Sequence, residues 1–239
     1  MSMSKILLCR LSFIILIVFS SFSVNADASS SKAEVQADSD LNVISSGLQK
    51  LVQTLNKIKT FSGRFVQYSV DQKGTRIQES RGELKADRDG LFYWHTEAPL
   101  EQVVISDGVE ITVYDPDLEQ ATIQKVGQQA QTTPAILFSG NTDTIGELFE
   151  VEVKEFGNSI SQYLLTPKTQ DSLFERLRIR FEGQHLNEMR ITDSLGQEST
   201  MSFIHTEINL TLPQNTFKAE FPKGTDIIRD IPISASQAN

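Results

Sequence analysis

The sequence has one cysteine in 239 residues, Cys9, and it lies close to the start of the chain. Downstream of it no disulfide, thiol nucleophile or thiolate metal site can form. Histidine is almost as scarce. His95, His185 and His205 all fall in alternating stretches, none at the HxxxH spacing of a metal site, so each reads as a sheet-face residue. There is no GxSxG elbow, no glycine loop that would cradle phosphate and no dinucleotide fingerprint. No catalytic residue, metal or cofactor is therefore expected. Long apolar runs are also missing: Leu11 to Phe22 is the one candidate, shorter than the roughly 20 residues that span a bilayer. No permanent membrane anchor is expected. The formal net charge of −9 argues against nucleic acid and against adsorption to anionic headgroups.

The N-terminus has the three parts of an export signal. Lys5 and Arg10 make it positive, Leu11 to Phe22 form the apolar run, and Val24-Asn25-Ala26 places small residues at a cleavage site. Cleavage after Ala26 would leave 213 residues and take the net charge from −9 to −11, because residues 1–26 hold two basic and no acidic side chains. Cys9 precedes the apolar run, whereas a lipid-modified cysteine follows it, so lipid anchoring is not expected. A periplasmic, unanchored monomer is the expectation. The expected divisions are a signal at 1–26, a flexible leader at 27–40, a single domain at 41–231 and a flexible tail at 232–239.

Leu41, Ile44, Leu48, Leu51, Val52, Leu55 and Ile58 recur in steps of three and four, predicting an amphipathic helix that ends near Lys59 with Asp40 as its N-cap. From Phe61 the period drops to two. Strands are predicted near 61–70, 78–86, 91–96, 102–106, 110–114, 120–126, 149–156, 162–166, 176–181, 186–192 and 198–206, with a last one at 217–221. Asp107-Gly108 marks a hairpin in which both turn residues would take positive φ, and Asp193-Ser194-Leu195-Gly196 marks another turn. Pro134 to Gly140 reads as a short apolar helix with proline in its first turn. About ten antiparallel strands with two helical insertions point to one curved sheet or open barrel with helices against one face.

Asp115, Asp117 and Glu119 alternate like the start of a calcium loop, but Gln120 stands where that loop needs glycine and Pro116 interrupts it. A solvated turn is the better reading. Asn209-Leu210-Thr211 fits a glycosylation acceptor, a triplet common by chance. Leu91-Phe92-Tyr93-Trp94 and the 134–138 segment concentrate apolar groups. Two readings stand for them: an ordinary core, or a sheet face that holds an apolar ligand beneath a helical cover.

Phe65-Val66-Gln67, Gly82-Glu83-Leu84, Arg88, Leu91-Phe92-Tyr93-Trp94, Pro99, Val104-Ile105-Ser106-Asp107-Gly108, Tyr114-Asp115-Pro116 and Glu119-Gln120-Ala121 come in an order that resembles the LolA family of periplasmic lipoprotein carriers. Pro134, Leu165-Thr166-Pro167, Asp193-Ser194-Leu195-Gly196-Gln197 and Pro222-Lys223-Gly224 continue the likeness, which runs from about Leu41 to Ile231. The resemblance implies an unclosed antiparallel β-barrel of about 10–11 strands with a helical lid over an apolar cavity. It implies a chaperone without catalysis or cofactor. Such a carrier takes acylated outer-membrane lipoproteins from the inner-membrane transporter LolCDE and delivers them to LolB at the outer membrane. Arg88 matches the arginine that fastens the lid, and Phe92 a neighbouring aromatic linked to lipoprotein handling. The chain departs from the pattern at Asp89-Gly90, where the family usually has proline and where Asp89 could pair with Arg88. Candidates for the lipid-binding surface are Leu84, Phe92, Trp94, Val104, Ile123 and Ile179 on strands, with Ile136, Leu137 and Phe138 on the lid. A periplasmic lipid-sensing regulator of related fold is the alternative, although such proteins carry a second domain for which this chain shows no room. An unrecognised hydrolase is a third, and no spacing supports it. Mass spectrometry of the exported protein should find Asp27 at the N-terminus; a chain that keeps residues 1–26 would contradict the predicted signal.

Overall fold

A computed structural model describes residues 37–126, 137, 142–169, 172 and 174–229, with side chains described from Ser46 onward. The signal, most of the leader, the tail and lid candidates Ile136 and Phe138 lie outside the described residues. Helix α1 spans Ala37–Asn56. It therefore begins before Asp40, which lies inside it rather than capping it, and it takes in the last four residues assigned to the leader. It ends three residues short of Lys59. Lys57 and Ile58 donate to Thr54 O (3.2 Å) and Leu55 O (2.9 Å), three-residue closures that tighten and stop the helix.

Strands follow in chain order: β1 Thr60–Val70, β2 Arg76–Asp87, β3 Leu91–Thr96, β4 Gln102–Asp107, β5 Glu110–Asp115 and β6 Gln120–Lys125. A short helix, α2 (Asp143–Leu148), precedes β7 Phe149–Phe156, β8 Ile160–Pro167, β9 Arg176–Glu182, β10 His185–Thr192, β11 Glu198–Ile208 and β12 Asp226–Arg229. They form one unclosed sheet in the order β12-β6-β5-β4-β3-β2-β1-β11-β10-β9-β8-β7. The fold class is thus mainly β, as expected, with twelve strands instead of 10–11. The predicted strand at 217–221 is not one: Gln214–Phe217 is a single 3-10 turn. The closing strand comes later, as β12, and pairs parallel with β6. Phe217 and Phe221 alternate like strand residues, yet each packs singly against the sheet.

The Asp107-Gly108 hairpin is present, but positive φ falls on Gly108 alone (+87°). The loop between β4 and β5 is Gly108-Val109, and a positive φ at its first residue only is the requirement of a type II′ turn. The sequence at 115–119 is a turn, with Leu118 N donating to Asp115 Oδ1 (3.1 Å) and Glu119 N to Pro116 O (3.2 Å). Gly196 in the β10–β11 turn has φ +72° and donates to Asp193 O.

Register separates the two faces of the sheet. Leu84, Trp94, Val104 and Val113 face one another across β2 to β5, and so do Ala86, Phe92, Ser106 and Ile111. On the far side of β1, Met201, Met189, Ile179 and Tyr163 align, as do Ile191, Leu177, Leu165 and Val151. Ser106 apart, these residues form one hydrophobic cluster with Leu51 and Leu55 of α1 and Ile58 just beyond it, which defines the core face. α1 meets the sheet at its β7 edge. Lys50 Nζ pairs with Glu155 Oε1 at 2.9 Å. Thr54 Oγ1 gives its proton to Lys50 O (2.9 Å), so Tyr163 OH donates to Thr54 Oγ1 (3.2 Å).

Gly47 lets the helix come this close. A Cβ there would penetrate the Val151 carbonyl oxygen, backbone that cannot step aside. Alanine in place of a helical glycine ordinarily gains up to about 1 kcal/mol. Overpacking against backbone costs about 1–3 kcal/mol, so the clash should prevail. Gly47→Ala is expected to lower the thermal midpoint by several degrees; a stabilised variant would contradict the close approach.

Candidate functional site

The arginine at 88 owes its place to a hairpin. β2 ends at Asp87 and β3 starts at Leu91, leaving a three-residue loop, Arg88-Asp89-Gly90, whose last residue has φ +81° and needs glycine. The neighbouring β4–β5 turn buttresses this loop. Ser106 Oγ donates to Gly90 O (3.0 Å) and accepts from Gly108 N (3.2 Å). A Cβ on Gly108 would press on Asp89 O.

Held there, Arg88 reaches back to the end of α1. Its Nη1 donates to Leu55 O and to Asn56 Oδ1, both at 2.8 Å, and its backbone amide donates to Lys59 O at 3.0 Å. A helix C-terminus is a favourable place for a cation, because the last carbonyls carry partial negative charge and lack intrahelical partners. The Asp89 amide turns inward to Asp87 Oδ1 (3.3 Å).

Beside Arg88 lies an apolar cleft, open to solvent at its mouth, whose enclosed room of about 20 Å³ is little more than that of one water. Leu55, Ile58, Phe61, Ala86, Leu137, Phe181 and Leu186 line it, and Lys59, Asp87 and Arg88 stand with them. The apolar part of this lining suits an alkyl chain once the cleft widens. Among the described residues no group of three or more His, Cys, Asp or Glu could hold a metal, and no helix is long and apolar enough to cross a membrane.

Two of the site residues expected from sequence, Arg88 and Leu137, meet at this pocket. Leu84, Phe92, Trp94, Val104 and Ile179 share its face and its hydrophobic cluster but do not line it. Trp94, for example, lies against Phe65 with ring centroids 5.2 Å apart, over Gly82, where a side chain would strike Phe65 and the His95 carbonyl. Ile123 is on the opposite face, in line with Thr112, Ile105 and Tyr93. It is buried there because the C-terminal segment crosses that face, with the Gln214–Phe217 turn on β3 and β4 and Phe221 5.3 Å from Tyr114. Sequence reasoning missed Leu55, Ile58, Phe61, Ala86, Phe181 and Leu186. Phe61 and Ala86 could have been found, since both pair into the row of Phe92 beside Arg88.

The buttressing turn carries a titratable group. Asp107 Oδ1 accepts from Glu110 N (2.8 Å) and Val109 N (2.9 Å), and these bonds hold its carboxyl below the ordinary range. A depressed folded-state pKa gives stability that is present above the unfolded value, about 3.9, and is lost as pH falls through the folded value. Asp107→Asn should therefore melt earlier than the native protein at neutral pH, with the gap narrowing in acid. A gap that stays constant in thermal melts across the acid range would contradict this.

The sequence model of the family described as outer membrane lipoprotein carrier protein LolA matches residues 56–220. An outer-membrane lipoprotein carrier protein from Pseudomonas entomophila is 44% identical over 181 residues, covering 76% of this chain and 87% of that protein. One from Pseudomonas aeruginosa is 43% identical over 186 residues, covering 78% and 89%. Among solved structures, a LolA superfamily protein from Nitrosomonas europaea aligns with a TM-score of 0.45 at 10% identity, over 72% of this chain and 98% of that one. On the extent and identity of the sequence match, the chain belongs to the LolA family of outer-membrane lipoprotein carrier proteins.

Proposed function

We propose that this protein is a periplasmic lipoprotein chaperone. After removal of residues 1–26 it takes acylated lipoproteins from LolCDE at the inner membrane and hands them to LolB at the outer membrane, without a catalytic step or cofactor. The observation that carries the proposal is the apolar pocket closed on one side by the end of α1, with Arg88 gripping that end. Membership of a carrier family supports it.

Energetics sets the problem such a carrier must solve. Burying acyl chain yields roughly 0.8 kcal/mol per CH₂, so ten methylenes give on the order of 8 kcal/mol. Cargo held that firmly leaves only if the empty protein regains something. Arg88 supplies it: when the pocket empties, α1 and the lid segment that includes Leu137 settle over it, and the guanidinium again donates to Leu55 O and Asn56 Oδ1. One planar guanidinium can serve two acceptors together, which lysine does less well. When α1 lifts, Leu84, Phe92, Trp94, Val104 and Ile179 become further surface for the acyl chain; Ile136 and Phe138, outside the described residues, remain the sequence's candidates for the lid.

The test mixes purified protein lacking residues 1–26 with membranes that carry newly made lipoproteins and LolCDE. A soluble one-to-one complex with acylated lipoprotein is expected, and its absence sinks the carrier reading. Hydrogen bonds from a charged donor are each worth about 1.5–3 kcal/mol. Arg88→Leu is accordingly expected to form the complex but to slow handover to LolB by roughly tenfold or more. Unchanged handover would remove the latch role.

A further inference from the structure

Asn209 opens the triplet that resembles a glycosylation site, yet its amide is used inside the fold. Oδ1 accepts from Lys59 N at 2.7 Å, and Nδ2 donates to Lys57 O at 2.9 Å. Its backbone amide donates to Thr60 O at 2.9 Å. Thr60 Oγ1 closes the set by donating to Leu210 O at 2.6 Å. Asn209 has φ +60°, the left-handed region that asparagine tolerates better than most residues. The residue just beyond β11 thus binds the turn that joins α1 to β1 at a carbonyl, an amide and the following strand.

That turn bears directly on the pocket. Leu55 and Ile58, on either side of the end of α1, form one wall, and Lys59 stands at the lining. Arg88 holds the same stretch from the other side, through Leu55 O, Asn56 Oδ1 and Lys59 O. The two grips differ in kind. Asn209 is neutral and bonds the backbone of the turn that leads from α1 into β1, from the end of β1's partner strand β11, contacts an apolar cargo cannot replace. Arg88 bonds a helix-terminal carbonyl and a side chain, both free to move with α1.

We propose that Asn209 is a positioning residue for the cargo pocket: it pins the Lys57–Lys59 turn as the fixed pivot from which the Arg88-held end of α1 opens and recloses. This rests on the carrier reading. Without the pivot, Leu55 O drifts from the guanidinium, so Arg88 loses its grip as well.

The experiment follows dissociation of the fluorescent fatty acid cis-parinaric acid from the protein lacking residues 1–26 by stopped flow. Asn209→Gly keeps the left-handed backbone and deletes the amide. Asn209→Asp keeps the acceptor for Lys59 N and deletes the donor to Lys57 O. The glycine variant should release the probe roughly tenfold more slowly, because the bonds it loses favour the closed, empty state, and the aspartate variant should fall between it and the native protein. In the Arg88→Leu background, Asn209→Gly should add little, because both act on one element. Native release rates in both Asn209 variants, or effects that multiply with that of Arg88→Leu, would overturn the pivot. If the native protein does not bind the probe at all, the carrier reading falls and the pivot with it. Should the glycine variant not fold, the aspartate variant decides the matter alone, by its release rate and by faster hydrogen exchange at the Ile58 and Lys59 amides; native values of both overturn the proposal.

Discussion

An unclosed sheet has to keep an apolar face and a strand edge from water, and here both tasks fall to the contact between α1 and β7. A bare edge strand presents unpaired backbone groups, and an uncovered face of Leu, Ile, Phe and Met would be an aggregation surface. α1 lies against the edge closely enough that Gly47 meets the Val151 carbonyl, and it turns Leu51 and Leu55 into the cluster. Everything that makes the site depends on this placement. It brings the end of α1 beside the β2–β3 hairpin, so that Leu55 O comes within reach of Arg88, and it makes Leu55 and Ile58 a pocket wall instead of a solvent-facing helix end.

The sheet is buried unequally on its two sides. β9 is covered on one: Leu177, Ile179 and Phe181 enter the core, and Arg176, Arg178 and Arg180 remain on the outer face. β4 is covered on both. Val104 belongs to the core face, while Ile105 is buried beneath the C-terminal segment together with Thr112, Ala121 and Ile123. A strand buried on one face alternates and announces which residues belong together. One buried on both reads as a continuous apolar run, and parity says only that two faces exist. Ile123 was grouped with the cavity candidates for this reason, since nothing near it in sequence tells that residues some ninety positions later will cover its side.

The same limit applies to the site. Arg88 was legible because a motif carried it, whereas the hairpin that holds it shows only in the structure. That Leu137 meets it at a pocket was legible only in outline. Alternation places Leu84, Phe92, Trp94, Val104 and Ile179 on a common face, yet whether such a face is hollow or filled depends on what packs above it. Trp94 is filled in by Phe65, across the bare backbone of Gly82. Phe61, Ala86, Phe181 and Leu186 are as buried as their neighbours, yet they border the small cleft beside the end of α1.

The sequence by itself determined the periodicities, and through them the mainly β class, the amphipathic first helix, a hairpin close to Asp107-Gly108 and the alternation of the strands. These follow from local chemistry: side-chain spacing, glycine's access to positive φ and the cost of exposing apolar rows. Tertiary structure alone decided where β12 pairs, which face Phe217 and Phe221 cover, which apolar residues line space, and that Asn209 and Arg88 grip one turn from opposite sides. Those outcomes join residues 30 to 150 positions apart, and such contacts are set by how whole elements cross, which no local pattern encodes.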